Sequence, residues 1–161
     1  MRFVSQSPAE TRRIAAALGG VVPAEGAVVS LSGALGAGKT LFVQALAGAL
    51  GRSEREVASP TFVIAAEYPC QRAGGPERLV HVDFYRVEDE AELEAAGLLD
   101  WLGERTLLVA EWGERFSVAL PPDRLEIRIA SGEVPESRIL EAQALGPRSE
   151  ALLVRWSERW R

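Results

Sequence analysis

The spacing of hydrophobic and polar positions changes several times along the chain, and each change marks an element. Arg2 to Gln6 reads as a short strand, after which Ile14, Ala17 and Leu18 recur at helical spacing. The start of that helix is written in its chemistry: Ser7 offers a capping hydroxyl, Pro8 suits the first turn, and Glu10 stands where a capping box wants a carboxylate. Gly19-Gly20 ends it. Ala27 to Leu31 is a short apolar run rich in β-branched residues, the pattern of a strand buried on both faces. A second helix carries Leu41, Val43, Leu46, Ala47 and Leu50 to a stop at Gly51.

Thr61 to Tyr68 and Leu79 to Tyr85 read as two strands joined by a Pro/Gly-rich loop, hence as an antiparallel hairpin. Glu88 to Ala96 reads as a short acidic helix stopping at Gly97, with a further turn over Leu98 to Leu102. Thr106 to Glu111 is a second buried strand. Leu125, Ile127 and Ile129 alternate with charged residues, and Arg138 to Ala144 can pair with them in a half-exposed hairpin. Leu152, Trp156 and Trp160 recur every four residues, so the chain closes on an amphipathic helix. These elements predict an α/β fold, a mixed β-sheet flanked by helices. With 161 residues and no linker-like stretch, one domain spanning residues 1–161 is expected.

Composition narrows the chemistry. With 18 basic and 23 acidic side chains the net charge is −5, no apolar run approaches the ~18 residues of a membrane span, and the N-terminus lacks a signal-like apolar segment. A soluble, cytoplasmic protein is expected, without membrane contact. One cysteine excludes an intrachain disulfide, and one cysteine with one histidine excludes a tetrahedral His/Cys zinc site. Asparagine is missing altogether, which removes N-glycosylation and the Asn-Lys-x-Asp guanine reader of regulatory GTPases. Of the basic residues 17 are arginine and only Lys39 is lysine.

That lone lysine falls in Gly33-Ala-Leu-Gly-Ala-Gly-Lys-Thr40, which matches the phosphate-binding loop and lies between a buried strand and a helix. Glycines let the backbone wrap an anion, so Gly33, Leu35, Gly36, Ala37, Gly38 and the helical start through Leu41 are the candidate backbone cradle. The helix offers its positive end to the same anion. Lys39 supplies a slim point charge for the β- and γ-phosphates, where a planar guanidinium is too wide, and the Thr40 hydroxyl suits Mg²⁺. Leu107-Leu-Val-Ala-Glu111 has the form of a Walker B strand, apolar residues ending in an acid, which makes Glu111 a candidate metal or water-polarising carboxylate. In His81-Val-Asp83-Phe-Tyr85-Arg86, alternation puts His81, Asp83 and Tyr85 on one face. Asp83 is a candidate to share the metal. His81 and Tyr85 read equally well as the solvated face of an edge strand. Ser59-Pro-Thr61-Phe is a proline-stiffened turn holding a hydroxyl, where such proteins place a γ-phosphate sensor; a plain strand-initiating turn reads as well.

In this order the segments Gly36-Ala-Gly-Lys-Thr40, Ser59-Pro-Thr-Phe62, His81-Val-Asp-Phe-Tyr-Arg86, Gly97-Leu-Leu and Glu111-Trp112 resemble the TsaE (YjeE) family, bacterial P-loop ATPases that support threonylcarbamoyl modification of adenosine in tRNA. The resemblance is strong from Ser7 to Glu111 and general beyond. It implies the P-loop NTPase-like three-layer fold, ATP and Mg²⁺ at Lys39 and Thr40, and metal and hydrolytic roles for Asp83 and Glu111. It also implies a switch role for Thr61, a nucleotide-side role for Trp112, an adenine pocket bordered by the helix near Ser7 to Thr11, and an approach of Arg138 to the nucleotide. The implied partners are the threonylcarbamoyl-transferase subunit and that subunit's inactive paralogue, with hydrolysis resetting their complex. Two other readings of the same residues are a P-loop small-molecule kinase and a nucleotide-gated binding module that needs no turnover. With arginines scattered among acids, no tight binding of tRNA by the isolated chain is expected.

Overall fold

A computed structural model describes residues 1–60 and 62–161. The chain opens with β1 (Arg2–Ser5), α1 (Pro8–Gly19), β2 (Gly26–Ser32) and α2 (Lys39–Ala49). The middle holds β3 (Ala65–Pro69), β4 (Arg78–Asp83), α3 (Glu90–Ala96), α4 (Leu98–Trp101) and β5 (Thr106–Glu111). The last part is β6 (Leu125–Ser131), β7 (Arg138–Ala144) and α5 (Pro147–Trp160). Among the described residues, seven strands form one mixed sheet in the order β1-β7-β6-β2-β5-β4-β3, flanked by five helices.

Four parallel strands, β6-β2-β5-β4, make the centre: β2 pairs in parallel with β6 and β5, and β5 with β4, in registers that set Leu31, Glu111 and Asp83 side by side at their carboxyl ends. Strand alternation then sorts the core into two sheets of side chains. Leu31, Leu79, Leu107 and Val109 pack with Ile14 and Leu18 of α1 and Phe42 and Leu46 of α2. Val80, Val82, Leu108 and Ala110 pack on the other face with Leu93, Leu98 and Trp101 of α3 and α4. Carboxylates and ligand-seeking groups at the strand ends therefore emerge on the α2 side, beside the loop that joins β2 to α2.

The closing helix locks the first face. Trp156 is fully buried, its indole N–H donates to the Ile14 carbonyl (2.9 Å), and its ring lies 4.3 Å from Phe3 and 6.2 Å from Phe42, centroid to centroid. One side chain thus ties α5 to α1, α2 and β1. The start of α5 is capped from outside the helix: Asp123 accepts the backbone N–H groups of Arg148 and Ser149 (both 2.9 Å).

Two expectations about the strands are corrected. The strand expected from Thr61 begins at Ala65; Phe62 and Val63 form an exposed turn, and Ile64 takes a left-handed backbone (φ 65°) that breaks the ladder. The β-branched run there supplies strand propensity without a face to bury. Thr61 itself lies outside the described residues. The segment Leu79 to Tyr85 is also no solvated edge: β4 lies between β3 and β5 in the sheet and His81 is fully buried, while Tyr85 lies beyond the strand end and is exposed.

Candidate nucleotide site

The loop from Gly33 to Gly38 turns the chain from β2 into α2 through left-handed backbone at Gly36 (φ 78°) and Gly38 (φ 107°). Gly38 is the residue before the helix, and no side chain caps α2 there. A Cβ at Gly36 or Gly38 would meet no atom within 4 Å, so the loop curls around open space. At Gly33 a Cβ would stand 2.3 Å from the Ile129 carbonyl oxygen, so β6 enforces glycine at the loop's start. An anion fits such a curl, facing backbone N–H groups and the helix end. Leu35 projects into solvent (78% exposed), Ala37 is buried and Leu41 is half-buried.

Lys39 is not the freely exposed side chain a surface loop suggests. It is only 5% exposed, and its ammonium donates to the loop's own carbonyls, Gly33 (2.7 Å) and Ala34 (3.0 Å), while lying 4.0 Å from the centroid of the Trp112 ring. Burial pushes its pKa below the usual lysine value, against the pull of Glu111, Glu114 and Asp83. Trp112 holds a left-handed backbone (φ 59°) immediately after β5 and packs against Tyr85 with the rings tilted by 39° and their centroids 5.1 Å apart. That strained turn aims the ring back over the loop.

Beside the lysine, the Thr40 hydroxyl donates to Glu111 Oε1 (3.0 Å). An ionised carboxylate only accepts, so the Thr40 hydroxyl points its hydrogen at Glu111 and keeps its own lone pairs for a cation. The same Oε1 lies 2.8 Å from His81 Nε2. On the neighbouring strand the two oxygens of Asp83 are shared between the Ser59 hydroxyl (2.7 Å) and the Tyr85 backbone N–H (2.9 Å). Among the described residues no cluster of three or more His, Cys, Asp or Glu side chains is arranged to hold a metal alone. One hydroxyl and one or two carboxylates form the usual protein share of a magnesium site, in which water and phosphate complete the shell, so this donor set fits Mg²⁺.

The remaining expected site residues divide. Arg138 reaches the loop: its Nε donates to the Ala37 carbonyl (2.9 Å), and its Nη1 holds the carbonyls of Pro135 and Ser137 (2.7 Å each). β1 pairs with β7 so that Ser5 stands opposite Arg138, which brings the start of α1 to the same end of the sheet. The hydroxyls of Ser7 and Thr11 are engaged there in local structure. Ser7 accepts from the Glu10 N–H (3.2 Å), and Thr11, which is buried, bonds Ser5 (2.7 Å) and the Ser7 carbonyl (3.2 Å). Two neighbouring features carry little sequence signal: the full burial of His81, and Arg115, which reaches across to the carbonyls of Phe84 (2.6 Å) and Tyr85. A cavity of about 440 Å³ opens at the opposite ends of the strands, among Gly26, Thr106, Trp101 and Arg155, and holds none of these residues.

Comparison with known proteins places the chain in a family. Residues 5–140 match the model of the family described as "Threonylcarbamoyl adenosine biosynthesis protein TsaE". Curated proteins named "tRNA threonylcarbamoyladenosine biosynthesis protein TsaE" are similar to the chain. The one from Bacillus subtilis is 37% identical over 152 residues, 94% of this chain and 90% of its own length. That from Treponema pallidum is 40% identical over 121 residues, 75% of this chain and 84% of its own. Among solved structures, the crystal structure of Bacillus subtilis YdiB superposes with a TM-score of 0.77 at 29% identity, covering 100% of this chain and 96% of that one.

Proposed function

The chain belongs to the TsaE family, and from that premise we propose that it is an Mg²⁺-dependent ATPase serving threonylcarbamoyl modification of adenosine in tRNA. The observation that carries the proposal is the meeting of Lys39, Thr40 and Glu111 at the mouth of a glycine loop, with Thr40 bonded to the acid of the adjacent strand at 3.0 Å. That meeting joins a phosphate cradle to a metal-suited pair in one place.

In this reading ATP is the substrate. Lys39 exchanges the two loop carbonyls for phosphate oxygens, and the backbone N–H groups from Gly33 to Leu41 line the rest of the anion. Thr40 and Glu111 hold Mg²⁺, with Asp83 beside them. Mg²⁺, when bound, supplies charge neutralisation on the β- and γ-phosphates. Glu111 and Asp83 orient the attacking water, and Thr61 senses the γ-phosphate. Trp112, Ser7, Thr11 and Arg138 border the nucleotide. The whole chain, residues 1–161, acts as one ATPase domain in the cytoplasm. Its partners are the threonylcarbamoyl-transferase subunit and the inactive paralogue of that subunit, whose complex is reset by hydrolysis. No helix among the described residues is long and apolar enough to cross a membrane.

The test is release of inorganic phosphate from ATP, measured with and without Mg²⁺ and with and without the transferase pair. Slow, Mg²⁺-dependent release as free phosphate, increased by the partners, is the expected result. Phosphate transferred to a small acceptor would make the protein a kinase. Full multiple turnover of the transferase with a hydrolysis-dead Glu111→Gln protein would make it a nucleotide-gated module.

A further inference from the structure

The sole histidine sits in the middle of β4, flanked in register by Ala66 of β3 and Val109 of β5, and is fully buried. Its Nε2 lies 2.8 Å from Glu111 Oε1, and Glu111 is itself buried, with its side chain 4% exposed. Its other nitrogen, Nδ1, is buried and has no hydrogen-bond partner among the described residues. A buried imidazole with one engaged and one idle nitrogen calls for an account of both.

We propose that His81 is the positioning residue of Glu111, donating an Nε2–H hydrogen bond to its carboxylate. This deepens, and rests on, the nucleotide–magnesium reading above. The tautomer follows from the contacts. Glu111 Oε1 receives the Thr40 hydroxyl and faces His81 Nε2; a carboxylate oxygen accepts, so Nε2 carries the proton. A second proton on Nδ1 would be a buried donor with nothing to bond, whereas a bare lone pair at that position is less costly.

The consequence is mechanical. Glu111 ends β5 on a side chain with three rotatable bonds, and a flexible carboxylate is a poor partner for a cation that demands octahedral geometry. Two donors from two different elements, Thr40 at the start of α2 and His81 in β4, converge on the same oxygen and fix it. Neither engages Oε2. His81 is the stiffer of the two anchors, since it is enclosed between strands, while Thr40 is the group a cation would also recruit. The histidine thus acts on the metal through Glu111, like the outer partners that orient ligands in metal sites generally.

The experiment uses the full chain. With ¹⁵N-labelled histidine the spectrum contains one imidazole, and a proton on Nε2 in slow exchange with water, shifted in Glu111→Gln, is expected. Binding of a fluorescent ADP analogue is then titrated with Mg²⁺ in wild type, His81→Leu and His81→Gln. Leucine fills the space without a donor and is expected to raise the Mg²⁺ requirement about 10- to 100-fold, leaving metal-free binding unchanged. Glutamine restores an N–H donor and is expected to recover most of the loss. A proton found on Nδ1, or a folded His81→Leu protein with the wild-type Mg²⁺ requirement, overturns the proposal. A wild type indifferent to Mg²⁺ overturns the nucleotide–magnesium reading instead, and the imidazole spectrum, which needs neither metal nor nucleotide, still decides the tautomer. Should His81→Leu fail to fold, the glutamine variant and the wild-type spectrum decide it.

Discussion

Replacing Lys39 by methionine removes the ammonium while keeping most of the stem, and so separates charge from packing. In the folded protein the ammonium holds two loop carbonyls, at 2.7 and 3.0 Å, and is only 5% exposed. Burial lowers its pKa from 10.5 despite Glu111, Glu114 and Asp83. A lysine pKa lowered by folding means that the charged amine detracts from stability below the native pKa. The penalty fades as pH rises from that value to the unfolded 10.5. The variant loses two hydrogen bonds from a charged donor, about 1.5–3 kcal/mol each, and sheds a buried charge whose desolvation penalty of several kcal/mol offsets them. Its unfolding free energy is therefore expected within about 1 kcal/mol of wild type. Nucleotide binding loses a charge-assisted hydrogen bond of about 1.5–3 kcal/mol, which at 1.4 kcal/mol per decade is about a 10- to 150-fold weaker Kd. Urea unfolding followed by tryptophan fluorescence reads the first quantity, and calorimetric titration with ATP and ADP the second. Binding within about threefold of wild type would refute the phosphate role of Lys39, and a stability loss beyond about 3 kcal/mol would show that it is a structural strut.

Four further outcomes are expected. Thr40→Ala and Glu111→Gln should weaken nucleotide binding in the presence of Mg²⁺ by more than they weaken it in EDTA, since each removes an oxygen donor or orienting carboxylate; equal loss in both titrations would dissolve the metal assignment. ATP should outcompete GTP in a displacement assay, because the chain has no Asn-Lys-x-Asp reader and its only lysine is in the loop. Asp123→Ala should cost about 1 kcal/mol by uncapping α5. Desolvation alone would raise the Asp123 pKa, but the Ser149 and Arg148 N–H groups outweigh it and hold it below 3.8. The cap's contribution is thus complete above 3.8 and lost as pH falls through the native value, so the urea midpoints of variant and wild type should converge in acid. The isolated chain, at net charge −5, should bind tRNA weakly in a salt-titrated assay, and submicromolar, salt-sensitive binding would make it a direct RNA-handling subunit.

Much of the fold was legible because its signals are local. Ser7, Pro8 and Glu10 mark the start of α1 through contacts within one turn, and the Ser7 cap is present at 3.2 Å. Buried strands β2 and β5 announce themselves as apolar runs, and the alternation of Leu125, Ile127 and Ile129 with Glu126 and Arg128 gives β6 its buried and open faces. The glycine loop is legible for a different reason: a curl closed by glycines and ended by lysine at a helix start admits few other residue types. The misread segments are those whose state is set at a distance. Phe62 to Ile64 has strand-forming residues, and what breaks the strand is backbone at Ile64, whose carbonyl accepts the Asp83 N–H at 2.9 Å. The capping role of Asp123 likewise joins residues 25 and 26 positions apart.

The candidate site divides along the same line. Which residue types stand there could be read from spacing, but which of them touch could not. Glu111 and Thr40 are 71 positions apart, and Glu111 and His81 are 30 apart; both contacts exist because β4, β5 and β2 lie in parallel register, placing Asp83, Glu111 and Leu31 in one row. Once that register is known, the environment of the histidine follows from the outermost strand. β3 pairs with the outer edge of β4, so β4 is an interior strand, and His81 is fully buried with its Nε2 2.8 Å from Glu111 Oε1. Period-two alternation alone put His81, Asp83 and Tyr85 on a common face. It could not say that the first is sealed, the second half-shared with Ser59, and the third past the end of the strand. Lys39 shows the same dependence in energetic terms. A motif defines its reach towards phosphate, yet only the fold shows that the ammonium already has two carbonyls and an indole face to leave. Any nucleotide that engages it must therefore replace those contacts as well as water, so net affinity reports a difference between two bonded states rather than the strength of one.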